Sequence, residues 1–323
     1  MAAPLLASPA ETVVTTDAPP RLPRPPMEVV ELHLKRYADL KSARAVFDTH
    51  WQLVSELYWP DWADFTSERV QGERRNQRQF DSTGQYALER FAAVMESFLT
   101  PRSQKWHELR ASNPELNEVR AVREWFDNLT NVLHQQRSRP ESGFYGGLQT
   151  VYKSHAAFGN GAHSIEPSRA GGLGYMARHI KDIVVAHNDQ GRIDTVYECF
   201  KLSHRSAALR YGPALLTEDM QKKLTTQPYE KHEYVRCVYP NPEYRGVFGQ
   251  RPFYSIDIHV PSKTAVAWGE YFELPTIYSR YTLNPVEDYG RGPAMIALSD
   301  NLTLQEMMKT HLRAGELIAY RRC

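Results

Sequence analysis

The most informative segment of the sequence runs from Leu283 to Cys323 and reads LNPVEDYGRGPAMIALSDNLTLQEMMKTHLRAGELIAYRRC. It begins as a loop that ends in the motif Tyr289, Gly290, Arg291, Gly292 and Pro293. Pro293 suits a first helical turn, because the N–H that it lacks would be unpaired there anyway. From Ala294 to about Tyr320 only Gly315 opposes a helix, which predicts roughly 27 residues and about 40 Å of continuous helix. A helix of that length crosses a whole domain.

The predicted helix has two different sides, and neither is apolar enough for a buried core helix. A weakly apolar stripe consists of Ala297, Leu304, Met308, Leu312, Gly315 and Ile318. Charged residues recur at i, i+3, i+7 and i+10 on another side, namely Glu306, Lys309, Arg313 and Glu316. Only the apolar side gains from exclusion of water, at about 25 cal/mol per Å² buried.

The segments before this helix change from a helical period to a strand period. Apolar residues at three- and four-residue steps predict helices from Met27 to Pro60, from Thr83 to Pro101, from about Glu115 to Gln136 and from about Ser142 to Ala157. Alternation predicts strands at Ala162 to Glu166, Tyr175 to Val185, Arg192 to Leu202, Tyr234 to Tyr239, Phe253 to Val260 and Ala265 to Glu270. Two short helices are expected near Ser206 to Tyr211 and Glu218 to Leu224. The fold class is therefore α+β, with helices first, an inserted mostly antiparallel sheet and a long C-terminal helix.

The same patterns divide the chain into four parts. Residues 1–26 hold prolines at 4, 9, 19, 20, 23, 25 and 26, which excludes a helix or a sheet ladder and predicts an extended arm. Residues 27–270 form a domain of helices (about 27–158) and sheet (about 162–270), residues 271–288 a linker, and residues 289–323 the terminal helix. The arm has too little apolar surface to fold alone, so we expect it to lie along a neighbouring molecule.

Composition excludes several classes of protein. There are 39 Lys and Arg against 38 Asp and Glu, so the net charge is +1 and strong sequence-independent DNA binding is not expected. Cys199, Cys237 and Cys323 share no CxxC spacing, which argues against a disulfide framework or a zinc site and indicates a reducing cytoplasm. No apolar run approaches the roughly 18 residues that a membrane span needs, so no membrane contact is expected.

No catalytic, cofactor or metal site is predicted. The glycines at 159, 161, 171, 172 and 174 precede no Gly-Lys-Ser/Thr motif and are expected in loops. The histidines at 155, 163, 179 and 187 are eight or more residues apart, unlike the close pairs on zinc-binding helices. Asp182, Asp189 and Asp194 fall on successive strands and a turn that would point them in different directions, and no Gly-x-Ser-x-Gly turn presents a nucleophile.

The densest basic run is Arg69, Arg74, Arg75 and Arg78, in the loop between the first two helices. Such a run binds a neighbouring subunit or DNA phosphate, or is simply a solvated loop. Glutamates at 68 and 73 are interleaved with the arginines and would repel phosphate, so we favour a neighbouring subunit over DNA.

Taken in order, several motifs resemble those of the head-to-tail connector, or portal, proteins of short-tailed tailed bacteriophages, the podovirus portal family. One is the motif of residues 289–293 before a long helix with mixed sides. The others are Arg69 to Thr83, Leu99-Thr100-Pro101 with Trp106, Phe144-Tyr145, Phe158-Gly159-Asn160-Gly161, Gly191-Arg192-Ile193-Asp194 with Val196-Tyr197, Phe272-Glu273-Leu274-Pro275 and Arg280-Tyr281. None is decisive alone, but the ordered set extends from about residue 30 to about residue 320 and makes the resemblance specific.

The resemblance implies a portal-like subunit in which residues 27–270 are a wing and the terminal helix is a stem. It implies a closed ring of about twelve copies around a channel, located in the virion at one capsid vertex after assembly in the host bacterial cytoplasm. Double-stranded DNA would pass through the channel during packaging and ejection. The other implied partners are the major capsid protein, a tail adaptor or head-completion protein and, transiently, the large terminase subunit, which supplies ATP hydrolysis.

In such a ring the two sides of the stem would have different neighbours. Leu304, Met308, Leu312 and Ile318 would contact an adjacent subunit. Glu306, Lys309, Arg313 and Glu316 would face the channel or solvent, because their i, i+3 pairs of opposite sign can remain wet. Portals of this family are longer, so the resemblance implies that the clip, returning stem helix, channel loop and crown are missing, as in a split or truncated form.

Two other classes of function compete with this interpretation. A phage DNA-processing enzyme, either a nuclease or a packaging ATPase, would show clustered acidic residues or a Walker motif, and neither occurs. A soluble DNA-binding module would need a basic face that the composition does not supply.

Overall fold

The computed structural model describes residues 23–67, 70, 72, 73, 75, 79–168, 171–247, 249–284 and 287–320. These residues contain nine α-helices: α1 (Met27–Tyr58), α2 (Thr83–Leu99), α3 (Pro114–Glu118), α4 (Arg120–Ser138), α5 (Phe144–Phe158), α6 (His204–Tyr211), α7 (Glu218–Thr226), α8 (Pro293–Ile296) and α9 (Leu298–Tyr320). They also contain eight β-strands: β1 (Asn160–Pro167), β2 (Leu173–Arg178), β3 (Ile183–His187), β4 (Ile193–Ser203), β5 (Lys231–Pro240), β6 (Phe253–His259), β7 (Thr264–Tyr271) and β8 (Thr276–Arg280).

The strands form two antiparallel sheets rather than one. The smaller sheet has the order β2-β1-β8, and the larger has the order β3-β4-β5-β6-β7. The predicted turn at residues 188–191 joins β3 to β4, and the Asn188 N–H donates to the carbonyl oxygen of Arg192 at 2.9 Å. The mixture of helices with antiparallel sheet, and the long C-terminal helix, confirm the α+β class.

The sequence predicts one strand from Tyr175 to Val185, and this prediction is wrong. β2 and β3 are separated by a 3-10 turn at Ile180–Asp182 and belong to different sheets. The buried guanidinium of Arg44, in α1, donates to the carbonyl oxygens of Ile180, Lys181 and Ile183 at 3.0, 2.6 and 2.5 Å. The turn carries Lys181 and Asp182 but neither Gly nor Pro, so the sequence pattern does not reveal the change of sheet.

A strand also lies in the segment 271–288 that was predicted as a linker. β8 pairs with β1, with Asn160 opposite Arg280 and Ala162 opposite Tyr278. Sequence analysis missed β8 because it is only five residues long and its burial does not alternate. The division of the chain into wing, linker and stem stays a prediction.

The helix predicted at 115–136 is divided into α3 and α4 at Val119, whose backbone is extended (φ −74°, ψ 115°). The Asn117 side chain exchanges two hydrogen bonds with the backbone of Ala111, at 2.9 and 3.0 Å, and so fixes α3 on the preceding loop.

Of the predicted arm, residues 1–22 lie outside the described residues. Arg24, just before α1, donates from Nη2 to the carbonyl oxygen of Ala265 at 2.9 Å.

The main core surrounds α1. Trp51 and Val54 are fully buried against Phe158 at the end of α5 and against Ile183 in β3. The predicted apolar side of α1 is therefore a core face, which also buries Tyr37 and Tyr58. None of the helices in the described part of the chain is both long and apolar enough to cross a membrane.

Charged side chains join the two sheets. Glu166 in β1 accepts hydrogen bonds from Arg236 in β5 at 2.7 Å and from Arg210 in α6 at 3.0 Å. Arg178 in β2 pairs with the buried Glu198 in β4 at 2.8 Å. Burial raises the pKa of Glu198, whereas the neighbouring arginines outweigh burial at Glu166 and lower the pKa of that carboxyl. The sheets are thus coupled through ion pairs as well as through the apolar core.

Arg44→Met tests the hydrogen bonds at the change of sheet. It leaves three carbonyl oxygens without their donor, and we expect a loss of about 3 kcal/mol in the free energy of unfolding. Arg36→Met, on an exposed position of the same helix, should change it by less than about 0.5 kcal/mol. Urea denaturation of both variants decides the matter, and equal losses would contradict the assignment.

Candidate functional site at the stem junction

The motif of residues 289–293 packs against the end of α5 through backbone atoms. Gly159 ends α5 in the left-handed region (φ 72°), and Asn160 begins β1 with a fully buried side chain. The Gly290 N–H donates to Oδ1 of Asn160 at 2.8 Å, and Nδ2 of Asn160 donates to the Gly290 carbonyl at 3.0 Å and to the Phe158 carbonyl at 2.7 Å. One buried amide therefore joins three segments and leaves none of its own groups unpaired.

No side chain fits between these segments. A Cβ on Gly292 would lie 2.6 Å from the nitrogen of Gly159 and 2.6 Å from the carbonyl oxygen of His155. A Cβ on Gly290 would lie 2.4 Å from the carbonyl oxygen of Gly159, and one on Gly159 would lie 2.2 Å from the carbonyl carbon of Arg291. Separations below 3.0 Å essentially never occur for real Cβ atoms, so the contact requires glycine on both sides.

Tyr289 fixes the junction in the main core. Its buried ring lies edge-on to Trp51, with ring centroids 5.4 Å apart, and contacts Phe47 at 5.3 Å and Tyr278 at 6.3 Å. Burial raises the pKa of its hydroxyl, which stays neutral at physiological pH. The first residue of the motif is therefore an aromatic core residue.

Arg291 closes the loop before the stem. Its N–H donates to the carbonyl oxygen of Thr282 at 2.8 Å, and its Nε donates to Glu287 at 2.7 Å. A second contact joins Nη2 to the other carboxylate oxygen of Glu287. The hydrogen bond from Arg291 is the main reason why the pKa of Glu287 is lowered. Arg291 therefore holds the loop from within the chain.

The sequence predicts one continuous stem helix, and this prediction is wrong. The stem consists of two helices, α8 and α9. Pro293 begins α8, as expected, but a turn at Ala297 separates the two helices. The carbonyl oxygen of Ala297 accepts from the Tyr58 hydroxyl at 3.0 Å as well as from the Asn301 N–H at 3.1 Å. The i, i+4 hydrogen bond is therefore kept at this turn, and Tyr58 of α1 supplies a second donor to the same oxygen.

Two amide side chains hold the base of α9 on the start of α2. The buried Gln305 accepts through Oε1 from the N–H groups of Phe80 and Asp81 at 2.7 and 3.1 Å. Its Nε2 donates to the Asp81 carbonyl at 2.8 Å and to Oδ1 of the buried Asn301 at 3.2 Å. Gly84 leaves room for Asn301, since a Cβ there would lie 2.2 Å from its Nδ2. The first two turns of α9 are thus fixed within the chain.

The distal part of α9 has no such support. Every residue from His311 to Tyr320 is exposed, including Leu312 at 52% and Ile318 at 61%. Leu304 and Met308, nearer the base, are half-buried within the single chain. The predicted apolar side of α9 is thus half-buried near its base, at Leu304 and Met308, and exposed near its end, at Leu312 and Ile318.

The charged side of α9 is mostly open to solvent. Glu306, Arg313 and Glu316 are exposed, and Lys309 is half-buried. Lys309 donates to Glu306 at 2.7 Å, as an i, i+3 pair. Which molecule either side contacts in an assembly stays a prediction.

The other predicted candidates lie apart from the junction or outside the described residues. Arg69, Arg74 and Arg78 lie outside the described residues, while Arg75 is mostly buried beside Glu73 at 3.5 Å. The four histidines considered from sequence have separate partners: His155 bonds Ser279, His163 contacts the Tyr175 ring, His179 pairs with Asp64 and His187 with Asp288. Burial lowers the pKa of both His155 and His163 to about 4, which keeps them neutral.

Sequence analysis missed three of the residues that build the junction. Gly159 and Asn160 were noted in the run Phe158 to Gly161 but were interpreted as a loop, and Gln305 was not noted. The available signals were a glycine at a helix C-terminus followed by Asn, and two amides, Asn301 and Gln305, spaced i, i+4. Neither signal indicates which distant residues the glycine or the amide side chains contact.

Gly292→Ala tests the glycine contact. The added methyl group meets backbone atoms that cannot rotate away, so we expect a loss of about 3 kcal/mol in the free energy of unfolding. Gly146→Ala is the matched control, because a Cβ there meets nothing within 4 Å. That variant should be more stable by about 0.5 to 1 kcal/mol, as expected for Gly to Ala within a helix. Thermal denaturation that ranks the two variants in the opposite order would contradict this description.

Two curated phage proteins are similar to this chain in sequence. The chain is 24% identical over 309 residues to the probable portal protein of Bordetella phage BPP-1, an alignment that covers 90% of this chain and 53% of the relative. It is 24% identical over 293 residues to the portal protein of Salmonella phage epsilon15, covering 88% and 52%. The chain thus spans about half the length of these curated relatives.

The family model described as bacteriophage head to tail connecting protein matches residues 31–320, which include the wing helices, both sheets and nearly all of the stem. The ordered motifs and the glycine junction therefore lie within one family match, and this chain belongs to the bacteriophage head-to-tail connector, or portal, family.

Proposed function

We propose that copies of this chain form a closed ring at one capsid vertex, through which double-stranded DNA passes during packaging and ejection. The ring would also be the point of tail attachment. About twelve copies is the number that the resemblance implies for such a cyclic assembly. The proposed partners are other copies of the chain, the major capsid protein, a tail adaptor or head-completion protein and, transiently, the large terminase subunit. The proposed location is the virion, after assembly in the host bacterial cytoplasm.

The observation that carries this proposal is the unsupported distal stem. Ten consecutive helical residues, His311–Tyr320, are exposed although they include Leu312, Leu317, Ile318 and Tyr320. An isolated helical end of this length is marginal in water, so its stability depends on packing against another molecule. A neighbouring copy in a ring supplies that surface at every position, because a heterologous contact that closes on itself leaves no copy without a partner.

The two sides of the stem support an orientation. In the proposed ring Leu304, Met308, Leu312 and Ile318 lie towards the adjacent subunit, with Leu312 and Ile318 as its main contacts. Glu306, Lys309, Arg313 and Glu316 lie towards the channel or solvent. Glu306, Lys309, Arg313 and Glu316 sum to no net charge, and Lys309 pairs with Glu306, so this side has no excess of positive charge to hold phosphate. A channel with this balance of charge lets DNA move, whereas a strongly basic channel would retain it.

We propose further that the ring is structural and that the chain catalyses no reaction of its own. The family supports this, since a connector holds and conducts DNA while a separate terminase hydrolyses ATP. A nuclease or a packaging ATPase is the alternative class, and no observation on the described residues favours it.

The proposed function predicts that the purified chain assembles into closed rings at micromolar concentration. Native mass spectrometry should give one dominant high-order mass, and negative-stain electron microscopy should show rings with a central channel. Only monomers and dimers in both measurements would contradict the proposal.

The orientation of the stem is tested by Leu312→Asp and Lys309→Ala. In the proposed ring Leu312→Asp buries an unpaired carboxylate at each interface, at several kcal/mol per interface. We expect the ring to dissociate while the circular dichroism spectrum of the chain is unchanged, because the wing stays folded. Lys309→Ala should leave the ring intact and alter at most DNA passage. If Lys309→Ala breaks the ring and Leu312→Asp does not, the two sides are reversed.

Catalysis is tested directly on the purified ring. We expect no ATP hydrolysis and no DNA cleavage in the presence of Mg²⁺ above a no-protein control. Turnover that co-purifies with the chain and disappears on a single carboxylate substitution would overturn the structural assignment.

A further inference from the structure

A cluster of two histidines and one glutamate lies away from the stem, where β4 leads into α6 and β5 begins. His204 is the first residue of α6, Glu230 precedes β5, and His232 lies in β5. The antiparallel register places Leu202 opposite His232 and Ser203 opposite Lys231. The backbone N–H of His204 donates to the backbone carbonyl oxygen of Glu230 at 3.3 Å. This hydrogen bond holds the two segments together. Residues far apart in the chain thus meet at one point.

The spacing of their ligand atoms is close to that of a metal site. One nitrogen or oxygen atom from each of the three residues lies within 4.8 Å of the other two. Nε2 of His232 is 3.6 Å from Oε1 of Glu230, and Nε2 of His204 is 3.8 Å from Oε2 of the same carboxylate. Ligands about 2.1 Å from a tetrahedral Zn²⁺ ion stand roughly 3.4 Å apart. The two distances from the histidines to the carboxylate are within a few tenths of an ångström of that spacing.

The histidines lack the partners that buried polar atoms normally have. The His204 side chain is 0% exposed, and neither of its ring nitrogens has a hydrogen-bond partner among the residues that the structure describes. Nε2 of His232 also lacks one there. Both contacts to Glu230 are too long for hydrogen bonds. Buried polar groups are nearly always paired, so these nitrogens indicate an absent partner.

The cluster is packed against protein on one side. The His259 ring lies on His232 with ring centroids 5.3 Å apart. The Glu230 side chain is 45% exposed and leaves the cluster open to solvent on one side.

We propose that His204, Glu230 and His232 bind one divalent transition-metal ion of the Zn²⁺ class. Two imidazoles and a carboxylate form a ligand set that suits Zn²⁺ rather than Mg²⁺ or Ca²⁺, which prefer oxygen ligands only. The ion would fix the start of α6 to the start of β5, where β4 and β5 pair inside the larger sheet. This site does not depend on ring formation or on the proposed channel.

Zn²⁺ titration of the metal-stripped full-length chain tests the proposal. Isothermal titration calorimetry should give one ion per chain, and the ion should raise the melting temperature. Glu230→Gln and His232→Leu each remove one ligand and should weaken Zn²⁺ binding more than about 100-fold, since even changes beyond the ligands cost about 10- to 100-fold. His311→Leu removes an exposed histidine of α9 and should bind Zn²⁺ as the unmodified chain does.

Two further measurements keep the test decisive if a variant misfolds. Co²⁺ bound to the unmodified chain should show the strong visible absorption of a tetrahedral site. His204→Leu without metal should melt no lower than the unmodified chain, because it removes an unpaired buried group, and Zn²⁺ should not raise its melting temperature. The proposal is overturned if the unmodified chain binds Zn²⁺ no more tightly than Glu230→Gln, or if Co²⁺ shows only a weak octahedral spectrum.

Discussion

The stem is attached to the rest of the chain by a backbone contact that only glycine permits. Gly290 and Gly292 lie against Gly159 so closely that any Cβ would overlap backbone atoms, and the Asn160 side chain pairs with Gly290 in both directions. Backbone atoms cannot avoid a clash by changing rotamer, so this contact fixes the direction in which α8 leaves the wing. The geometry of any ring built from the stem depends on that direction.

The stem itself is divided by the kind of contact it makes. At its base, Asn301 and Gln305 form hydrogen bonds within the chain and leave little to gain from another molecule. At its end, apolar side chains such as Leu312 and Ile318 are exposed and would gain from exclusion of water. An orientation set within the chain, combined with an exposed apolar end, supports the symmetric assembly proposed above.

The wing is stabilised by polar contacts at the places where its two sheets meet. Arg44 satisfies three carbonyl groups where the chain changes sheet, and Glu166 joins β1 to Arg236 of the larger sheet. Removing one partner of such a buried pair strongly destabilises the protein, because the other partner stays buried without compensation. The intact pair contributes less than this loss when it is compared with apolar residues of similar volume. At the histidine cluster two imidazoles and a carboxylate converge, and the ring nitrogens of His204 are unpaired among the described residues. This convergence of ligand groups is why the cluster points to a metal ion.

The sequence by itself determined the elements whose signal is local. Periodicity located α1, α2 and α5 and most strands, turn residues identified the β3–β4 hairpin, and Pro293 marked the start of the stem. The ordered motifs determined the family. The tertiary structure alone shows that residues 175–185 serve two sheets, that the Tyr58 hydroxyl donates to Ala297 at the turn between α8 and α9, and that Gly159 and Asn160 hold the junction. It alone brought His204 to Glu230 and His232. These contacts join residues far apart in the chain, and such contacts leave no period or spacing that a single sequence displays.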